Sequence, residues 1–160
     1  MAIGFYIVKK YSTVKPKQHS LPLNSTLKTT AEIFIDGASR GNPGSSGLGV
    51  LIKDEDGNIH EIKKPLGILT NNQAEYEALL TALTKAKELK KSHLKIYTDS
   101  LLLANQINGK WRVNNPKITT LYNKARELIA QFERVEVNHI PREFNQAADR
   151  LANLAIDEYS

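Results

Sequence analysis

The sequence predicts an α/β fold in which a five-stranded mixed sheet, three antiparallel strands followed by two more, is flanked by helices. Three observations predict it. Short β-rich runs with turn signals between them open the pattern at Ala31, a long segment of apolar residues at three- and four-residue spacing follows, and strand-like and helix-like runs then alternate to the end. At 160 residues with 41% hydrophobic content, the chain is long enough for one core and short for two.

The first strand is Ala31 to Asp36 and the second Gly47 to Lys53, with a Gly-rich turn between them. Asp54 to Asn58 carries an Asp-Gly hairpin step and leads into a third strand, Ile59 to Leu66. From Asn71 to Lys90, Ala74, Ala78, Leu79, Ala82, Leu83, Ala86 and Leu89 recur at helical spacing. Leu94 to Asp99 is a strand that ends in an acid, and Ser100 to Gln106 reads as helix. A further helix is expected from Pro116 to Phe132, because proline suits a first turn. Arg134 to Asn138 alternates as the fifth strand, and Asn145 to Ile156 closes as a helix. Residues 11–30 are rich in Ser, Thr, Pro and Lys without periodicity. The expected organisation is thus a basic, flexible extension over 1–30 and one folded domain over 31–160.

Charge separates the same two parts. Of 22 Lys and Arg residues, five (Lys9, Lys10, Lys15, Lys17 and Lys28) fall in residues 1–30, which hold no acid, so the 17 acids of the domain meet 17 bases. A neutral body offers no long-range steering toward phosphate, and attraction must come from the extension or from local patches. The absence of cysteine excludes a disulfide framework, a thiolate metal site and a catalytic thiol, and suits a cytoplasmic protein. No stretch approaches a membrane span, and lysines follow the short apolar run at the N-terminus, the reverse of a secretory signal.

Asp36 and Asp99 stand at strand ends, where α/β folds build sites; Glu75 lies early in a helix and Asp149 in the final one. Singly, each acid has a plain account as a helix-end charge or a solvated salt bridge. Together they suit hard divalent cations, which take oxygen ligands and keep waters. Two such ions about 4 Å apart promote in-line displacement at phosphorus.

Asp36-Gly37-Ala38-Ser39-Arg40-Gly41-Asn42-Pro43-Gly44, Thr70-Asn71-Asn72-Gln73-Ala74-Glu75, Tyr97-Thr98-Asp99-Ser100 and His139 through Asp149 resemble, in order, the motifs of ribonuclease H, type 1 branch. The resemblance covers residues 31–156. It implies the ribonuclease H-like fold and two-metal hydrolysis of the RNA strand of RNA/DNA hybrids, leaving 5′-phosphate and 3′-hydroxyl ends. By the same resemblance Asp36, Glu75, Asp99 and Asp149 bind two Mg2+ ions, with Mn2+ as a substitute, and the enzyme is a monomer without an obligate protein partner. It further implies an assisting loop residue, His139 or in its place Arg142. Gly37, Asn42, Thr70, Asn72, Gln73, Ser100 and Arg142 match substrate-binding positions; turn and helix-cap hydrogen bonding is the alternative for Asn42, Asn72 and Gln73. The chain departs from many relatives in lacking a tryptophan-rich basic handle, of which only Lys110-Trp111-Arg112 gives a hint. Phe5 to Lys10 resembles the first strand of a small hybrid-binding domain, or is chance likeness. A catalytically dead scaffold, and a junction resolvase or integrase of the same fold, are the competing classes. All four acids being present disfavours the first, and the Thr70–Glu75 and Asn145–Asp149 blocks together disfavour the second.

Overall fold

A computed structural model describes residues 29–159 and, as backbone, residues 5–9. The elements are β1 (Phe5–Lys9), β2 (Thr30–Gly41), β3 (Gly44–Asp54), β4 (Ile59–Leu69), α1 (Asn71–Glu88), β5 (His93–Thr98), α2 (Leu101–Ile107), α3 (Pro116–Ile129), β6 (Arg134–His139) and α4 (Gln146–Tyr159). All five expected strands and the expected helices are present. The sheet order is β1-β6-β5-β2-β3-β4, with β5 parallel to β2 and β6 and the other pairs antiparallel.

Two features differ from the sequence reading. The backbone of β1 adds a sixth strand at the β6 edge, Phe5 opposite Asn138 and Lys9 opposite Arg134. The rest of the expected flexible extension, residues 1–4 and 10–28, lies outside the described residues, and Thr30 already opens β2. The second difference is the Gly-rich turn, which contracts to Asn42-Pro43 because the β2–β3 ladder continues to the Gly41–Gly44 pair. Small residues permit this: the Ser39 and Ser46 hydroxyls both donate to the Leu69 carbonyl, at 2.9 and 3.1 Å, tying the extended hairpin to the end of β4.

Alternation along the strands sorts side chains into two layers. Ile33 and Ile35 of β2, Leu48, Val50 and Ile52 of β3, Leu94 and Ile96 of β5, and Val135 and Val137 of β6 pack with α1, α2 and α3 in one buried cluster. Asp36 is the cross-strand partner of Gly49 and faces the other layer, where α4 lies. A Cβ on Gly49 would sit 2.2 Å from the Ala148 carbonyl oxygen, so its lack of a side chain lets α4 rest on the sheet. Among the described residues, no helix is long and apolar enough to cross a membrane.

Candidate active site

Parallel pairing of β2 with β5 puts Ile35 opposite Thr98, so the next residues, Asp36 and Asp99, emerge side by side at the C-terminal ends of adjacent strands. Glu75 arrives from α1. That helix begins where Thr70 and Gln73 form a capping box, and it crosses β2 so closely that the Gly37 N–H donates to Glu75 Oε2 at 3.1 Å. Asp149 belongs to the first turn of α4. One carboxylate oxygen each from Asp36, Glu75 and Asp99 lies within 4.8 Å of the others. Asp149 joins them in lining an open cavity of about 330 Å³, with Arg40, Asn71, Arg142 and Asn153 at its margin. A larger cavity, about 520 Å³, opens at the other end of the strands around Thr30, His93 and Arg134, away from this cluster. The carboxylates, not the volume, mark the chemistry.

Burial of so many acids together suppresses ionisation. Burial first, then the charges of Asp99 and Asp149, push Asp36 up from 3.8 to about 8. Glu75 is held well above its usual range by burial, then by Asp36 and Asp99. Burial also raises Asp99, opposed by a hydrogen bond with Asn145 and by the Arg142 charge. The donors are all carboxylate oxygens, with no sulfur or imidazole lining the cavity, which fits a hard divalent cation.

These shifts set a pH dependence for the metal-free protein. A carboxyl with a raised native pKa holds its proton when the unfolded chain has released it, so between about 4 and about 8 stability falls as pH rises. In EDTA the melting temperature should drop from pH 5 to pH 8. Saturating Mg2+ should then raise it by at least about 5 °C more at pH 8 than at pH 5. Thermal melts at the two pH values check this, and an equal metal effect at both would contradict it.

The remaining sequence candidates divide. Arg142 reaches Asp149, Nη2 to Oδ1 at 3.5 Å, and lines the cavity. His139 ends β6 and is not among the lining residues, though its charge is felt at Asp99. Asn42 Oδ1 accepts from the Asn71 N–H at 3.0 Å, Ser100 caps α2 through the Leu103 N–H at 3.1 Å, and Thr70 and Gln73 cap each other. Asn72 keeps a buried Oδ1 without a partner among the described residues. Sequence reasoning passed over Asn145, almost wholly buried, whose Nδ2 donates to the Ile35 carbonyl at 2.9 Å and which steadies Asp99. It also passed over Arg40, Asn71 and Asn153. The signal for Asn153 was its place four residues after Asp149, one helical turn along the same face.

Comparison with known proteins agrees with this geometry. A family model described as "Reverse transcriptase-like" matches residues 34–155. Ribonuclease HI of Halobacterium salinarum is 40% identical over 126 residues, 78% of this chain and 63% of that protein, so the chain spans less than two thirds of that relative. A Ribonuclease H of Clostridium botulinum is 34% identical over 148 residues, 80% of this chain and 96% of that one. Among solved structures, LC11-RNase H1 in complex with an RNA/DNA hybrid superposes with a TM-score of 0.74 at 37% identity, covering 80% of this chain and 97% of that one.

Proposed function

The chain belongs to the ribonuclease H family, and on that premise we propose that it is an endoribonuclease hydrolysing the RNA strand of RNA/DNA hybrids with two divalent metal ions. The observation that carries this reading is the convergence of Asp36, Glu75, Asp99 and Asp149 on one open cavity. The relative solved with a hybrid supports the substrate.

In this reading the four carboxylates hold Mg2+, with Mn2+ able to substitute. When bound, the ions make water a nucleophile near neutral pH and stabilise the attacking and leaving oxygens of an in-line displacement. The protein's own part is positional. The Gly37 N–H orients the Glu75 carboxylate, and Asn145 orients Asp99. As water oxygen bonds to phosphorus, the P–O3′ bond breaks. The water proton must leave and O3′ must gain one, and His139 or Arg142 assists there by moving a proton or by opposing charge. Capping commits the side-chain oxygens of Asn42 and Gln73, and their NH2 donors remain for 2′-hydroxyls along the minor groove, with Asn72 beside them. Thr70 contacts a DNA-strand phosphate, and Gly37 and Ser100 bound the path of the substrate. The enzyme acts as a cytoplasmic monomer.

Product ends test the reaction. RNA fragments should carry 5′-phosphate and 3′-hydroxyl groups. A 5′-hydroxyl with a cyclic phosphate would mean attack by the 2′-hydroxyl and would overturn the metal-dependent route. The loop assignment has its own test: His139→Ala should slow turnover by on the order of 10–100-fold with the metal requirement unchanged. If Arg142→Ala costs more, the loop works through charge, and steady-state rates of the two variants decide.

A further inference from the structure

Three residues one helical turn apart on α4, Asp149, Asn153 and Asp157, form a polar stripe, and Arg40 of β2 lies along it. Arg40 shares the face of β2 that carries Asp36, since residues two apart alternate back to the same side. Its Nη1 pairs with Asp157 Oδ1 at 2.5 Å, and its Nη2 donates to Asn153 Oδ1 at 3.4 Å. Asn153 in turn donates through Nδ2 to the Asp149 carbonyl at 2.9 Å and to Asp149 Oδ1 at 3.3 Å. The guanidinium is therefore fixed in direction yet 45% exposed, and it lines the carboxylate cavity.

We propose that Arg40, aimed by Asp157 and Asn153, is a phosphate-contact residue that takes the RNA strand on the α4 side of the carboxylate cavity. The inference rests on the ribonuclease reading and adds to it a binding residue. Four acids line the cavity, and Arg40 and Arg142 are the only cations among its described lining residues. A polyanion entering such a site needs local positive charge, because the domain has no net charge to attract it. Arg40 lies four residues along β2 from Asp36, a run of about 13 Å, so it meets a phosphate neighbouring the one that is cut. Its planar fork has five donors, of which Asp157 and Asn153 occupy only part. The bland alternative is a surface strut pinning β2 to α4, but an exposed ion pair of this kind contributes little to stability.

The test compares full-length wild type, Arg40→Ala and Arg40→Lys for binding of a fluorescent RNA/DNA hybrid in EDTA across a salt series, alongside thermal melts. Arg40→Ala should weaken binding about tenfold at low salt. It should also reduce the slope of log Kd against log salt by up to about 0.9 unit. Arg40→Lys should retain the slope and part of the affinity, with melting temperatures unchanged throughout. Unaltered binding by Arg40→Ala, or a loss that comes with a lower melting temperature and an unaltered slope, would make Arg40 a strut and overturn the proposal. A wild-type protein that neither binds nor cuts the hybrid would bring down the ribonuclease reading itself; wild-type activity with an indifferent Arg40→Ala removes only this inference.

Discussion

Asp36→Asn is expected to lower hydrolysis at least a thousandfold, on the order of the loss when a ligand of a catalytic metal pair is neutralised, while hybrid binding survives. Asp36 is the hub of the cluster: it is buried, shares its cavity with the other three acids, and lies within ligand distance of Glu75 and Asp99. The amide keeps the shape of the side chain and removes the charge. A second readout follows from the same electrostatics. Because Asp36 is raised to about 8 by burial and by the acids around it, removing its charge should relieve repulsion and raise the melting temperature of the metal-free protein near pH 8. Simultaneous loss of activity and gain of apo stability is the pattern expected of a metal ligand. Retention of more than a few per cent of wild-type rate would remove Asp36 from the ligand set.

The largest structural effect is expected at Gly37. A methyl group there would lie 2.2 Å from the Ala74 carbonyl carbon and 2.3 Å from the Glu75 nitrogen, both backbone atoms of α1 that no rotamer can move. The helix must shift off β2, and with it Glu75, whose carboxylate is tied to the Gly37 N–H. Gly37→Ala should cost about 3 kcal/mol or more and abolish turnover in whatever fraction folds. Gly57→Ala supplies the contrast. Gly57 has a φ of +83° but nothing within 4 Å, so only left-handed strain of about 1–2 kcal/mol applies. Urea titrations of the two variants compare them directly, and equal destabilisation would show that the α1–β2 contact is looser than the structure has it.

Much of the fold was legible because local signals and tertiary packing agree. The Asp-Gly step before β4 and the proline opening α3 each mark a boundary by a local mechanism. The four acids were legible through their blocks, and parallel pairing explains why two of them lie at strand ends. What escaped was long-range. Gly37 reads in sequence as a substrate-binding motif position and Gly49 as a strand residue, but their missing side chains serve helices 37 and about 100 residues further on. Asn145 and Asn153 read as ordinary helix-end and surface polar residues until the fold brings them against Asp99, Asp149 and Arg40. Phe5 to Lys10 resembles an opening strand in sequence, but its place in this sheet could not be read, because pairing with β6 joins segments more than 120 residues apart and five residues carry no partner information.

Strand-labelled RNA/DNA, RNA/RNA and DNA/DNA duplexes of one sequence, incubated with the full chain with and without Mg2+, separate the enzyme from both competing classes in a single assay. The carboxylate site predicts cleavage of the RNA strand of the hybrid, dependent on the metal and absent in Asp36→Asn, with the DNA strand intact. Cleavage of DNA, cleavage that persists in EDTA, or binding without cleavage in Mg2+ or Mn2+ would contradict it.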